Sequence, residues 1–210
     1  KILWGYKRSV SSLTTLQRAS TPLVYKDRIL VGLADGTLVA LSLDEGLLLF
    51  ETKLSTASKF QDVDSAAFVL NDKVYVGAVG SVLSMIDPNT GKVLRKADFM
   101  ASRAPYMNLK EKSEKLLFGT PSGELIHTDS NLNIQNKVKI SEGMITSIVP
   151  FKNGLAVSTT NGEILFVDPI SLNVIETFKL GHAYSAVFGH LESAENHMSV
   201  LSSRNRLFTF

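Results

Sequence analysis

The sequence predicts an all-β protein, a β-propeller of four-stranded blades. Three observations carry this. A strand, turn, strand, corner, strand motif returns about every forty residues, a period that belongs to propellers when every element is a strand. Its turn-plus-strand core reads DGTLVALSL at Asp35–Leu43, GSVLSMID at Gly80–Asp87, SGELIHTD at Ser122–Asp129 and NGEILFVD at Asn161–Asp168, with a worn copy, RNRLFTF, at Arg204–Phe210. Ser42, Asp87, Asp129 and Asp168 hold one register, spaced 45, 42 and 39 residues apart. Finally, no stretch keeps apolar residues at i, i+3, i+4 and i+7 without a Gly or Pro break, so the helical alternative fails.

Taken in order, the first unit (20–54) offers strands at Thr21–Tyr25, Arg28–Leu33, Thr37–Leu43 and Leu47–Leu54. Asp35-Gly36 between the second and third is a tight-hairpin dipeptide whose glycine accepts positive φ. Asp44-Glu45-Gly46, matched by Pro88-Asn89-Thr90-Gly91, forms the polar corner before the outermost strand, where backbone groups need water or a short side chain. The second unit (63–99) runs Val63–Leu70, Lys73–Ala78, Val82–Asp87 and Lys92–Phe99. The third (104–140) runs Ala104–Leu109, Lys115–Gly119, Glu124–Thr128 and Ile134–Ile140. In the fourth (145–180) the strands are Ile145–Pro150, Gly154–Ser158, Glu163–Val167 and Val174–Leu180. The second and third strands of each unit are dense in Val, Ile, Leu and Phe, as middle strands covered on both faces require. A fifth unit (183–210) supplies Tyr184–Gly189, His197–Ser202 and Arg206–Phe210 and lacks an outer strand; residues 2–7 resemble one without a blade. Joining them gives five blades in a single domain over 1–210, with the N-terminal strand closing the last; a fragment of a larger ring is the competing reading.

The chain of 210 residues is 44% hydrophobic and 20% charged, a globular composition. A net charge of +2 with scattered basic residues excludes a phosphate-tracking surface, and the run Lys110–Lys115 mixes both signs, so no nucleic-acid partner is expected. The absence of cysteine excludes disulfides, thiolate metal sites and cysteine nucleophiles. No apolar run approaches a membrane span, so membrane contact is expected only through a lipid anchor upstream of Lys1.

Two connections between successive units are long, Ser9–Ser20 and Ser55–Asp62, and neighbouring units set them side by side. The first contains Leu13, Leu16, Gln17 and Arg18, leucines without a core to fill beside a frequent interface anchor, although one leucine plugging the gap between blades explains them equally well. The second contains Gln61-Asp62-Val63-Asp64; with Val63 turned to the blade, Asp62 and Asp64 point alike. Such a pair suits a cationic partner or the capping of nearby N–H groups; a metal lacks further oxygen ligands nearby.

These segments resemble the PQQ-like propellers and, among them, the BamB family of the outer-membrane β-barrel assembly machinery. The likeness is closest over Leu13–Leu94, where Leu16-Gln17-Arg18-Ala19-Ser20-Thr21-Pro22 stands at the family's leucine-x-leucine-arginine-glycine-x-serine-x-proline loop and Asp62-Val63-Asp64 at its aspartate-valine-aspartate. The family arginine falls on Gln17, with Arg18 one place late, and BamB proteins typically have eight blades where this chain has material for five. The resemblance implies a non-enzymatic periplasmic scaffold at the outer membrane, a monomeric lipoprotein on its own. It would dock on periplasmic domains of the barrel-forming subunit through Leu13, Leu16, Gln17, Arg18, Asp62 and Asp64, with no cofactor.

Enzymes share these scaffolds. Quinone-dependent dehydrogenases carry regular docking tryptophans, whereas this chain has only Trp4, with Phe50, Leu94 and Ile175 in the corresponding outer strands. A five-bladed glycoside-acting or carbohydrate-binding propeller is the alternative; its carboxylates must converge, and Asp35, Asp62 and Asp64 are the candidates. His127, His182, His190 and His197 show no ligand spacing.

Overall fold

The structure, a computed structural model, describes residues 1–9, 20–55, 62–63, 67–78, 81–101, 106–107, 115–181, 186–187, 189, 191–194 and 196–210. Among these, 19 strands form five antiparallel sheets, and there is no helix. They belong to two compact units, Lys1–Met100 and Ala101–Phe210.

The first unit holds two meanders. β1 (Leu23–Tyr25), β2 (Arg28–Gly32), β3 (Thr37–Ser42) and β4 (Leu48–Lys53) pair in chain order, as do β5 (Phe68–Leu70), β6 (Lys73–Val76), β7 (Ser84–Ile86) and β8 (Val93–Lys96). The second unit repeats the plan with β9 (Tyr106–Met107), β10 (Leu116–Gly119), β11 (Glu124–Thr128) and β12 (Ile134–Lys139), then β13 (Ile145–Phe151), β14 (Gly154–Thr159), β15 (Glu163–Val167) and β16 (Val174–Lys179). It ends in a three-stranded sheet of β17 (Glu192–Ala194), β18 (His197–Leu201) and β19 (Leu207–Thr209).

The cores lie between sheets. Leu30, Leu38 and Ala40 of the first sheet share one buried cluster with Val63 and with Val74, Val76 and Ile86 of the second. Leu117 and Leu125 likewise meet Ile145, Leu155, Val157 and Leu165, and Ala156 and Ile164 meet Met198 and Val200. Middle strands are therefore covered on both faces: Leu38, Val39 and Ala40 are consecutive and all buried, while β16 is exposed along its length.

The corner aspartates are structural. Asp87 Oδ1 accepts the Asn89 N–H, and Asp129 Oδ1 accepts those of Asn131 and Asn133. Asp168 Oδ1 accepts the N–H groups of Ile170 and Ser171 and the Ser171 hydroxyl, while Ser42 Oγ accepts Leu47 N–H in the first copy. Next to each corner the ladder between third and fourth strands shifts by one residue, at Ala40/Leu41, Met85/Ile86, His127/Thr128 and Phe166/Val167 of the third strand, a bulge repeated in every four-stranded sheet.

The corners also receive the preceding outer segment. Gly91 has φ 73°, and a Cβ there would overlap the Phe50 ring of β4. Gly46 has φ 69°, and a Cβ would overlap the Trp4 ring, whose indole N–H donates to the Leu43 carbonyl at 2.9 Å. In the second unit the same left-handed position is filled by Leu132 (φ 64°) and Leu172 (φ 62°), both buried. Leu172 joins the cluster against which Val138 and Ile140, from β12 and just beyond it, pack. Where the corner is glycine an incoming ring fills the space; where it is leucine, the corner fills it.

Two expectations differ from the structure. The fifth sheet has three strands rather than four, and residues 2–7, expected to supply the fourth, carry no strand. Their place is set by side chains instead, Trp4 at the first corner and Arg8 at Asp35. The inner strand of that sheet is Glu192–Ala194; of the expected strand Tyr184–Gly189, the described Ala186, Val187 and Gly189 carry no strand, and Val187 N–H donates to the Thr159 carbonyl.

Replacing Gly91 by Ala is expected to cost about 1–3 kcal/mol, from positive φ and overlap with Phe50. Urea unfolding of Gly91→Ala, Phe50→Ala and the double variant should return a coupling of at least about 0.5 kcal/mol, since removing the ring relieves the overlap. The backbone N–H of Ser171, followed by its hydroxyl, holds the Asp168 carboxyl below its ordinary range. A group lowered on folding contributes stability that is complete above its unfolded value and is lost as pH falls through the folded one. Asp168→Asn, which still accepts those bonds, should therefore flatten the acid limb of a plot of Tm against pH.

Candidate functional site

The two long connections singled out in the sequence begin and end on one hairpin, Gly32–Gly36, between β2 and β3. Ahead of the first connection, Arg8 Nε pairs with Asp35 Oδ2 at 2.7 Å and Arg8 Nη1 with Glu51 Oε2 at 2.7 Å. The hydrogen bond to Glu51 leads the contacts that raise the Arg8 pKa above its ordinary value. At the far end of that connection, Ser20 is buried and its Oγ accepts the Gly32 N–H at 2.8 Å and donates to the Gly32 carbonyl at 3.2 Å. One hydroxyl thus meets both backbone groups of a residue at the tip of β2, as a strand partner would.

The second connection is fastened to the same turn. Leu54 and Ser55 N–H groups donate to the Gly36 carbonyl at 2.8 and 3.3 Å, and Val63 N–H donates to the Leu33 carbonyl at 3.0 Å. A Cβ on Gly32 would overlap both the Val63 side chain and its carbonyl oxygen, so only glycine lets the connection approach so closely. Asp35 Oδ1 accepts Thr37 N–H at 3.1 Å, and Lys53 donates to the Asp35 carbonyl, closing the turn around which all four stems gather.

Of the candidate contact residues, Leu13, Leu16, Gln17, Arg18 and Asp64 lie outside the described residues. Asp62 is fully buried at 0% exposure and is not without partners in the fold. Val63, expected to face the blade, does so, also at 0%. Alternation puts Asp62 and Val63 on opposite sides of the chain, and both are enclosed. Asp35 is engaged by Arg8 and by its own turn. His127 is half-buried, and burial, followed by the charge of Lys115, lowers its pKa. Sequence reasoning missed Ser20 and the acceptor carbonyls of Leu33 and Gly36. The signal for Ser20 was its place two residues before Pro22; backbone acceptors leave no trace in composition.

Five antiparallel meanders, with shared cores between successive sheets inside each unit and two connections rooted in one hairpin, define a β-propeller of PQQ-like repeats. The family described as "Outer membrane protein assembly factor BamB" matches residues 1–131, more than half of the sequence, and the chain belongs to that family. A relative carrying the same description, from Pseudomonas aeruginosa, is 22% identical over 164 residues, covering 74% of this chain and 42% of its own length. The crystal structure of BamB from Moraxella catarrhalis superposes with a TM-score of 0.77 at 16% identity, over 99% of this chain and 62% of that one. The computationally designed protein Ika8 superposes with a TM-score of 0.70 at 16% identity, over 91% and 57%. The chain thus spans less than two thirds of the length of these relatives.

Gly32→Ala should destabilise the protein by about 1–3 kcal/mol, because the clash includes backbone that cannot rotate away. The same change at Gly154, where the nearest atom is the Val167 carbonyl oxygen at 2.9 Å, should cost less in a paired thermal melt.

Proposed function

We propose that this chain is a non-enzymatic interaction subunit of the outer-membrane β-barrel assembly machinery, docking on periplasmic domains of the barrel-forming subunit. The observation that carries the reading is the convergence of both long connections on the Gly32–Gly36 hairpin of a chain that belongs to the BamB family. A docking loop binds more tightly when its stems are already fixed, because less ordering remains to be done on association. In this reading Leu13, Leu16, Gln17, Arg18 and Asp64 contact the partner, and buried Asp62 holds its loop in position. The protein works in the periplasm at the outer membrane, and a lipid anchor would supply its membrane attachment.

The test is capture of the barrel-forming subunit from envelope extracts by the purified chain, followed by affinity measurement on its isolated periplasmic domains. Asp64→Lys and Arg18→Glu should each weaken binding at least tenfold, about 1.4 kcal/mol, with unchanged melting temperature. Asp62→Ala should instead lower the melting temperature, since it removes one partner from a buried group. Failure of the unaltered chain to retain the barrel subunit overturns the assignment.

A further inference from the structure

Ser20 and Val63 act on one short piece of backbone from two directions, Ser20 along its hydrogen-bonding edge and Val63 over its face. The Ser20 hydroxyl holds the Gly32 N–H and carbonyl, and Val63 covers the face of Gly32 where a side chain would stand. The next carbonyl along, that of Leu33, accepts Val63 N–H. β1 begins at Leu23, paired with Leu30, so beyond that rung Ser20 stands in for a strand partner of Gly32.

We propose that Ser20, Gly32, Leu33 and Val63 form a latch that couples the two connections energetically, and that Ser20 is its positioning residue. Loss of the Ser20 hydroxyl leaves two buried backbone groups of Gly32 unpaired, and the tip of β2 frays to meet water. The Leu33 carbonyl moves with it, and Val63 loses its anchor. The equivalent junction in the second unit provides the contrast. Ile145 N–H donates to the Thr120 carbonyl at 3.1 Å, and Ile145 covers Gly119 as Val63 covers Gly32, with no part played by Ser20. For docking, the consequence rests on the function proposed above: a partner that seats one loop finds the other already ordered. The latch itself stands on the geometry alone.

Amide hydrogen exchange on the full chain tests it. Ser20→Ala should speed exchange of Val63 N–H about tenfold, the equivalent of one lost hydrogen bond, and leave Ile145 N–H unchanged. Ser20→Thr, which keeps the hydroxyl, should restore Val63 protection. Faster exchange at Gly32 with Val63 unaffected overturns the proposal and leaves Ser20 a local cap. If Ser20→Ala fails to fold, exchange in Val63→Ala replaces it: coupling is reciprocal, so the Gly32 N–H held by Ser20 should exchange faster there, and an unchanged Gly32 rate overturns the coupling. Because no partner is present in any of these experiments, failure of the docking function and failure of the latch are read separately.

Discussion

Each sheet here is four short strands wide or fewer, and its middle strands are apolar on both faces. Such a sheet cannot bury itself; its neighbours must cover it, and something must hold the neighbours at the right distance. The hairpin between the second and third strands does this with backbone alone. Gly36, Gly123 and Gly162 carbonyls accept N–H groups from the chain leaving the same sheet, at Leu54, Ile140 and Leu180. Leu33, Thr120 and Thr159 carbonyls accept from the chain approaching the next, at Val63, Ile145 and Val187. A turn that reverses one sheet thereby fixes where the following one starts. Hydrogen bonds of this kind contribute about 1 kcal/mol each, so they do not supply the stability that burial supplies; they set the geometry in which burial is possible.

From that geometry follow the size rules of the junctions. With the connection held against the end of the second strand, the residue before the turn must be small, and Gly32 and Gly119 are covered by the β-branched side chains of Val63 and Ile145. The fourth sheet solves the same problem differently. Ser158 stands at the equivalent rung, and its hydroxyl bonds that of Thr146 at 2.9 Å. At the corner before the outer strand, Gly46 and Gly91 leave room for the Trp4 and Phe50 rings, whereas Leu132 and Leu172 bury side chains of their own. Leucine in a left-handed conformation is unfavourable by about 1 kcal/mol or more, and it persists because full burial of the side chain returns more than that.

Much of this was legible in the sequence. The Asp35-Gly36 turn, the corner aspartates and strands β2 and β3 follow from local chemistry and alternation, and the structure agrees to within a residue or two. What failed was whatever depended on two segments at once. The repeated bulge is visible only as a lapse of alternation at Leu48-Leu49, Val93-Leu94 and Val174-Ile175, which an apolar run disguises. Tyr184–Gly189 has the composition of an inner strand, yet Val187 is committed to the Thr159 carbonyl, and the ladder with β18 is made by Glu192–Ala194. The burial of Asp62 was illegible for a related reason. Alternation assigns a residue to the side opposite its neighbour, but it cannot reveal that both sides are occupied.

A buried aspartate at the end of a long connection has a further physical meaning. Removing a carboxylate from water is costly unless the fold supplies partners, so a position such as Asp62 persists only where the surrounding chain is held firmly enough to keep those partners in place. Val63, the next residue, is held in that way by the Leu33 carbonyl and by the space that Gly32 leaves open. Fixing the end of this connection is then part of building the sheets: Val63 is bound to a hairpin that the first sheet already requires, and its side chain lies in the core that the first and second sheets share.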